Sequence, residues 1–194
     1  VPEVKVLGAH RAMVTANTRY VLDYGGRGSG KSVAASQALI ELALQRPKGR
    51  ILAVRKVART LRLSVFPRLT SELEAWGLSQ GATINKAEMT IRLHNGSEID
   101  CIGADDPEKI KSVENPWLAW IEEADTLDEE DFDAIDFSLR QGDDKIILTF
   151  NPPPAIPGVP HWIKQRFIDT KDPQATVIKT TWKDNPFLPD TYVQ

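Results

Sequence analysis

Residues 25–32 read Gly25-Gly26-Arg27-Gly28-Ser29-Gly30-Lys31-Ser32, which fits the phosphate-binding pattern G-x-x-x-x-G-K-[ST]. Each residue type has a chemical reason to be there. The glycines let the backbone curl until several N–H groups point inward at phosphate oxygens. Lys31 would reach the β- and γ-phosphates of a nucleotide, and the Ser32 hydroxyl would hold Mg²⁺. A second chemical feature closes an apolar run, where Trp117-Leu118-Ala119-Trp120-Ile121 leads directly into Glu122-Glu123. At the end of a strand, the first acid of such a pair orients Mg²⁺, directly or through water, and the second polarises the attacking water. Many such sites carry Asp before Glu; the extra methylene of Glu122 is absorbed if its metal contact runs through water. Acids capping the next helix would be the bland alternative, but Asp128, Glu129 and Glu130 already supply that cap. Asn151, at the tip of a neighbouring apolar run, is placed to sense a γ-phosphate. An asparagine before prolines is also a common turn device, and taken alone that reading wins.

These groups need elements to hold them. Residues 20–24 read as a short strand and 33–45 as a helix, so the glycine loop has the strand–loop–helix context that its pattern requires. That helix is apolar nearly all round, as expected for one lying against a sheet, and Pro47 stops it. Arg19 and Tyr20 open the first strand. Residues near this point can touch the base of a nucleotide; an edge arginine and a packed tyrosine are the equal alternative. Residues 51–54 form a continuous apolar run, read as a strand buried on both faces. Arg55, Lys56, Arg59 and Arg62 follow it as a basic cluster at the strand's C-terminal end, the edge of an open α/β sheet where ligands bind. A solvated basic helix start would look the same. Pro67 is expected to begin a helix carrying Leu69, Leu73 and Trp76, ended by Gly77.

Residues 83–102 break the α/β rhythm with alternating apolar positions on either side of Asn95-Gly96. A three-residue loop, His94-Asn95-Gly96, sets Ile91 opposite Ile99, Met89 opposite Cys101 and Arg92 opposite Glu98. It keeps one face apolar, whereas a two-residue turn mixes the faces. The expectation is an antiparallel hairpin added at the sheet edge, with Gly96 left-handed. Further helices are expected over 129–140 and 161–167, and strands over 146–150 and 176–179. Residues 1–18 show little periodicity and are expected to wrap the domain edge. The prolines gather late, so regular packing should thin there.

Composition narrows the classes. The chain has 194 residues, of which 41% are hydrophobic and 26% charged, enough for one sizeable core. Its single cysteine, Cys101, excludes an internal disulfide and a cysteine-rich zinc site, and points to a reducing compartment. No run has the length of a membrane span, and no signal peptide is visible. A net charge of −3 argues against a broad nucleic-acid-binding face without excluding a local basic patch.

In order and spacing, these pieces resemble the N-terminal ATPase domain of the large subunit of tailed-bacteriophage terminase, over residues 19–189. The motifs that carry the resemblance are the glycine loop with arginine at its third position, Ile110-Lys111-Ser112, Trp120-Ile121-Glu122-Glu123-Ala124, Thr149-Phe150-Asn151-Pro152 and Asp184-Asn185-Pro186. The Glu-Glu-Ala ending is typical of that family. The resemblance implies an α/β P-loop NTPase of the RecA-like (ASCE) class, with a mostly parallel sheet flanked by helices. It implies an ATPase using ATP and Mg²⁺ that drives double-stranded DNA into a preformed capsid. The implied partners are the DNA, the portal protein, the small terminase subunit and further copies in a ring, with a monomer in isolation. The implied place is the host cytoplasm, docked on the procapsid, with no membrane. Residues 1–194 are expected to be the ATPase domain. The family's C-terminal nuclease domain would lie beyond them, so nuclease activity is not expected in this chain.

Carried over residue by residue, Gly25, Gly26, Gly28, Ser29, Gly30, Lys31 and Ser32 bind phosphate and Mg²⁺. Arg27 responds to the γ-phosphate, Glu122 positions the metal, Glu123 activates water and Asn151 couples hydrolysis to motion. A basic residue from a neighbouring copy completes the site in trans. Lys111, Arg140 and the cluster from Arg55 to Arg62 are the candidates, and such a charge can be worth about 10³–10⁵ in rate. Other P-loop classes fit less well. Strand-separation motifs of a helicase are not evident, and Thr170-Lys171-Asp172 has the wrong spacing for the guanine reader of a GTPase. A non-enzymatic scaffold would not need Lys31, Ser32, Glu122 and Glu123 together.

Overall fold

The computed structural model describes residues 7–152 and 161–189. Its centre is an 8-stranded sheet in the order β3-β4-β5-β2-β6-β7-β1-β8. The strands are β1 (Tyr20–Gly25), β2 (Arg50–Arg55), β3 (Thr83–Asn85), β4 (Thr90–Arg92), β5 (Glu98–Gly103), β6 (Pro116–Glu122), β7 (Lys145–Phe150) and β8 (Ala175–Thr180). From β5 to β8 every pairing is parallel, and β4 and β3 add antiparallel at one edge. Parallel strands need crossover helices, which cover both faces and demand apolar side chains on each. Residues 51–54 meet that demand, all fully buried.

The two faces carry separate apolar layers. On one, α2 (Lys31–Gln45) and α4 (Val65–Ala75) pack over Val21, Ile51, Ala53, Leu118, Trp120 and Ile147. On the other, α6 (Glu129–Ser138) contributes Phe132 and Ile135 against Leu22, Leu52, Val54, Ile121 and Leu148. Odd and even positions of one strand thus serve opposite layers, as the period of 2 requires. The smaller helices are α1 (Ala12–Thr15), α3 (Ala58–Leu61) and α5 (Pro107–Ser112).

The edge hairpin has the expected register: Ile91 opposes Ile99 and Arg92 opposes Glu98, Cys101 N–H donates to the Met89 carbonyl, and Gly96 is left-handed at φ +84°. Burial pushes the Cys101 thiol well above its ordinary pKa, so it serves as packing. β3 extends this edge by a further short strand that the sequence pattern does not announce. Other boundaries differ for local reasons. α2 starts at Lys31 because left-handed Gly30 at φ +90° ends the loop there. α4 begins two residues before Pro67, which still lies in the first turn, where its missing N–H costs nothing. α6 stops at Ser138, and Leu139 and Arg140 already lead toward β7. The helix expected over 161–167 is displaced, and Lys164–Asp169 forms a π-helical turn with Phe167 buried. Residues 7–18 do more than wrap an edge: Leu7, His10 and Met13 are buried. Of the late prolines, those within 153–160 lie outside the described residues.

Trp120 ties β6 to β7: it is fully buried, and its Nε1 donates to Thr149 Oγ1 at 2.9 Å. Trp120→Ala should leave a large cavity and take from the Thr149 hydroxyl the donor it accepts from, costing about 3–5 kcal/mol. Urea denaturation checks this, and a wild-type midpoint would contradict the packing.

Candidate nucleotide-binding site

The C-terminal ends of β1, β6 and β7 are neighbours in the sheet, and the loops leaving them share one open pocket of about 410 Å³. Arg27 to Ser32 line it from the loop after β1, Glu122 and Glu123 from β6, and Thr149 to Asn151 from β7. Ligands of open α/β sheets bind at this edge. α2 points its N-terminus into the pocket, and the first N–H groups of a helix have no intrahelical partner. With the positive end of a 15-residue helix behind them, they suit an anion. Glycine is required at two positions in particular. At Gly30 a side chain would combine φ +90° with a clash on Leu7, and at Gly25 a Cβ would fall 1.9 Å from the Thr180 carbonyl oxygen of β8.

Lys31 folds back along the loop. Its Nζ lies 2.7 Å from the Gly25 carbonyl, 3.0 Å from that of Gly26, 3.1 Å from Ser29 Oγ and 3.3 Å from Asn151 Oδ1. Burial pulls the pKa of its ammonium below the ordinary value, against the charges of Asp23 and Asp125. Asn151 therefore touches the loop lysine from the end of β7, which links the two motifs physically. Asn185, within Asp184-Asn185-Pro186, donates from Nδ2 to the Gly28 carbonyl at 2.8 Å and lines the same pocket.

The two glutamates differ in environment. Glu122 is buried, and its Oε2 accepts no hydrogen bond although Arg55 Nε stands 3.5 Å away. Glu123 is half-exposed and ion-paired to the guanidinium of Arg55. Its backbone is left-handed at φ +54°, a strain of roughly 1–3 kcal/mol for such a residue and a common mark of working sites. Arg55 is itself held by Ser64 Oγ, which accepts from Nη1 at 2.8 Å. The basic cluster thus divides by role. Arg55 holds the acids, Lys56 pairs with Asp128 and Asp131, and Arg62 donates to the carbonyls of Lys86 and Ala87. Arg59 is exposed.

Tyr20 is corrected out of the site. It begins β1 while the pocket lies past its end, about 17 Å away along an extended strand. Its ring packs on Phe167 and Phe132, and its hydroxyl donates to Asp136 at 3.0 Å. Arg19 is tied to Asp136 and Asp144 at the same far edge. Lys111 and Arg140 do not line the pocket. Lys111 is exposed and pairs with Glu108, and Arg140 donates to the Phe137 carbonyl beyond α6.

Sequence reading misses His10. It is buried beneath the loop, with Nε2 donating to the Ser29 carbonyl at 3.0 Å and Nδ1 against the carboxylate of buried Asp23. Asp23 also accepts from Thr180 Oγ1 at 3.0 Å. A carbonyl and a carboxylate both ask their nitrogen to donate, which only the imidazolium can satisfy. Burial opposes that charge, yet the hydrogen bond and charge of Asp23 outweigh it, and the His10 pKa is raised. No local pattern marks a histidine in an aperiodic segment as the support of a loop that follows a whole strand later.

Comparison with known proteins agrees with this geometry. A helix-backed glycine loop facing paired strand-end acids, on a parallel sheet, places the chain among the P-loop NTPases. The family model described as phage terminase large subunit matches residues 17–194, and the chain belongs to that family. It is similar to the PBSX phage terminase large subunit of Bacillus subtilis (strain 168), with 33% identity over 191 residues covering 88% of this chain and 43% of that protein. The large terminase of a thermophilic bacteriophage, in complex with ADP, superposes with a TM-score of 0.76 at 16% identity, covering 96% of this chain and 48% of that one. The large terminase ATPase domain of Thermus phage P74-26 gives a TM-score of 0.73 at 16% identity, covering 97% and 90%. The chain thus spans less than half the length of the Bacillus protein and of the ADP-bound terminase.

The state of His10 has a pH consequence. A folded-state pKa above the unfolded value near 6.5 means stability that is full below that value and is lost as pH rises through the raised one. The charged groups facing the ring are Asp23, Lys31 and Asp184. Urea midpoints from about pH 6 to pH 9 should fall in the wild type. His10→Ala should cost about 3 kcal/mol at the acid end, because it strands Asp23, and should flatten the fall.

Proposed function

We propose that this chain is the ATP-hydrolysing motor domain of a packaging enzyme that drives double-stranded viral DNA into a procapsid. One observation carries the reading: Lys31 and Ser32, at the N-terminus of α2, face Glu122 and Glu123 across a single pocket. The loop binds the phosphates, and the strand-end acids act at the terminal one. The ADP complex of the thermophilic phage's large terminase supports a nucleotide here, through shared family and fold.

The residues also fit Mg²⁺. Glu122 Oε2 is a buried acceptor without a hydrogen bond, and it lines the pocket with Ser32. Among the described residues no three His, Cys, Asp or Glu side chains cluster to cage a cation. That suits an ion held by one or two protein groups together with water and phosphate. When bound, Mg²⁺ would neutralise charge on the phosphate oxygens; Ser32 and Glu122 would hold it.

Glu123 is the proposed base. Its carboxylate is paired to Arg55 and already lines the pocket, so activating a water requires it to exchange Arg55 for that water. Lys31 must leave the loop carbonyls for the phosphates. Its contact with Asn151 then breaks, which gives β7 a signal that nucleotide has arrived. Arg27, exposed on the loop, is the proposed responder to the γ-phosphate. Lys111 and Arg140 are exposed and outside their own pocket, as a cation acting on a neighbouring copy must be. The portal, the small subunit and a ring of copies are the proposed partners, and no helix among the described residues is long and apolar enough to cross a membrane.

Glu123→Gln should keep Mg-ATP affinity within a few-fold while single-turnover hydrolysis falls about 10²–10⁴-fold. Lys31→Ala should weaken binding itself, read by calorimetry. Wild-type turnover in Glu123→Gln would remove the assigned base, and unchanged affinity in Lys31→Ala would remove the phosphate site. If Arg140 or Lys111 works in trans, mixing its alanine variant with Glu123→Gln on procapsids should restore part of the activity.

A further inference from the structure

Arg68 stands on α4 and lines the nucleotide pocket together with Ser32, Val33, Glu122 and Glu123. It belongs to none of the motifs. Its Nε is buried without a hydrogen-bond partner, and its guanidinium forms no ion pair among the described residues. The pocket's other cations are differently disposed. Lys31 is held by loop carbonyls, and Arg27 is exposed at the rim.

The helix beneath Arg68 is firmly placed. Val65, Phe66, Leu69 and Leu73 are buried in the core. One turn before Arg68, Ser64 holds the arginine that holds Glu123. One turn after it, Glu72 accepts from Gln37 of α2 at 3.1 Å. α4 therefore runs alongside α2, and Arg68 lines the pocket from one turn beyond the Ser64 contact with Arg55 at the end of β2. In the sheet β2 neighbours β6, whereas the β1 loop and Asn185 lie beyond β7. Arg68 thus approaches from the side of Glu122 and Glu123, where the terminal phosphate and the attacking water must sit if this is an ATPase.

We propose that Arg68 is a cis-acting cation that donates to the terminal phosphate of bound ATP and distinguishes ATP from ADP. The inference rests on the ATPase reading above. A planar guanidinium suits this task, because it donates to phosphate oxygens in a fixed fork and stays charged. Burial of an unpartnered donor is costly unless a ligand takes it up. Arg68 is separate from Arg27: it sits on a packed helix rather than a glycine loop, so its position does not depend on how the loop closes.

The test is calorimetric titration of the chain and its Arg68→Ala, Arg68→Gln and Arg68→Lys variants with Mg-ATPγS and with Mg-ADP. Loss of one charge-assisted contact should weaken ATPγS binding about 10- to 100-fold, with ADP affinity changed less than about twofold and Arg68→Lys intermediate. Melting temperatures without nucleotide should stay close to the wild type, since the guanidinium has no hydrogen-bond or ion-pair partner among the described residues. A purely structural role would lower both affinities together, and that result overturns the proposal, as does wild-type ATPγS affinity in Arg68→Ala. If the wild type binds neither nucleotide, the ATPase reading falls as well; if it binds both and the variants match it, only Arg68 is wrongly assigned.

Discussion

A buried ionic contact under a glycine loop is the constraint on which this molecule turns. Asp23 lies in the middle of β1, fully buried, and takes a hydrogen bond from Thr180 of β8 and an ion pair from His10. His10 in turn holds the Ser29 carbonyl. A carboxylate in that place would be ruinous unpaired. Paired, it fastens the loop from below to the first strand, the last strand and the N-terminal segment at once. The loop is thereby held from beneath, while Arg27 to Ser32 line the pocket above it. Asn185 adds a further tie through the Gly28 carbonyl. Segments from both ends of the described chain meet at the loop, so a nucleotide bound there feels both.

The parallel sheet does the remaining placement. Because β6 and β7 stand next to β1 in the order, their tips bring Glu122, Glu123 and Asn151 to the same edge. Strands that far apart in the chain reach neighbouring positions only through crossovers, whose handedness is fixed by strand twist. Within this frame two groups stand apart from the tasks proposed for them. Lys31 rests on its own loop, and Glu123 rests on Arg55. Both contacts are charge-assisted, and Lys31 and Glu123 both line the pocket.

Much of this is legible in the residues. The glycine loop, the apolar run into Glu122-Glu123 and the register of the edge hairpin each rest on local rules that the structure obeys. Glycine spacing, continuous apolar strands and alternation around Asn95-Gly96 are properties of adjacent residues. The failures have one cause. Tyr20 is close to the loop in sequence and so suggests a contact with the base, yet a strand carries residues apart as fast as chain geometry allows. His10 and Arg68 carry no local signal, since one sits in an aperiodic segment and the other on an ordinary amphipathic helix. Their importance lies in what the fold sets against them. The basic cluster after β2 looks like one feature and separates into four fates, because its side chains leave the backbone in different directions.

By itself the sequence determined that a glycine loop of the phosphate-binding pattern exists, that it joins a strand to a buried helix, and that a carboxylate pair ends another buried strand. Those are consequences of backbone freedom, helix ends and hydrophobic period, all set within about ten residues of chain. Only the tertiary structure decided that Arg55 holds Glu123, that His10 and Asp23 support Ser29, and that Arg68 rather than Tyr20 faces the pocket. Each of these is a meeting of side chains from separate crossovers, and a linear pattern does not encode the distance between them.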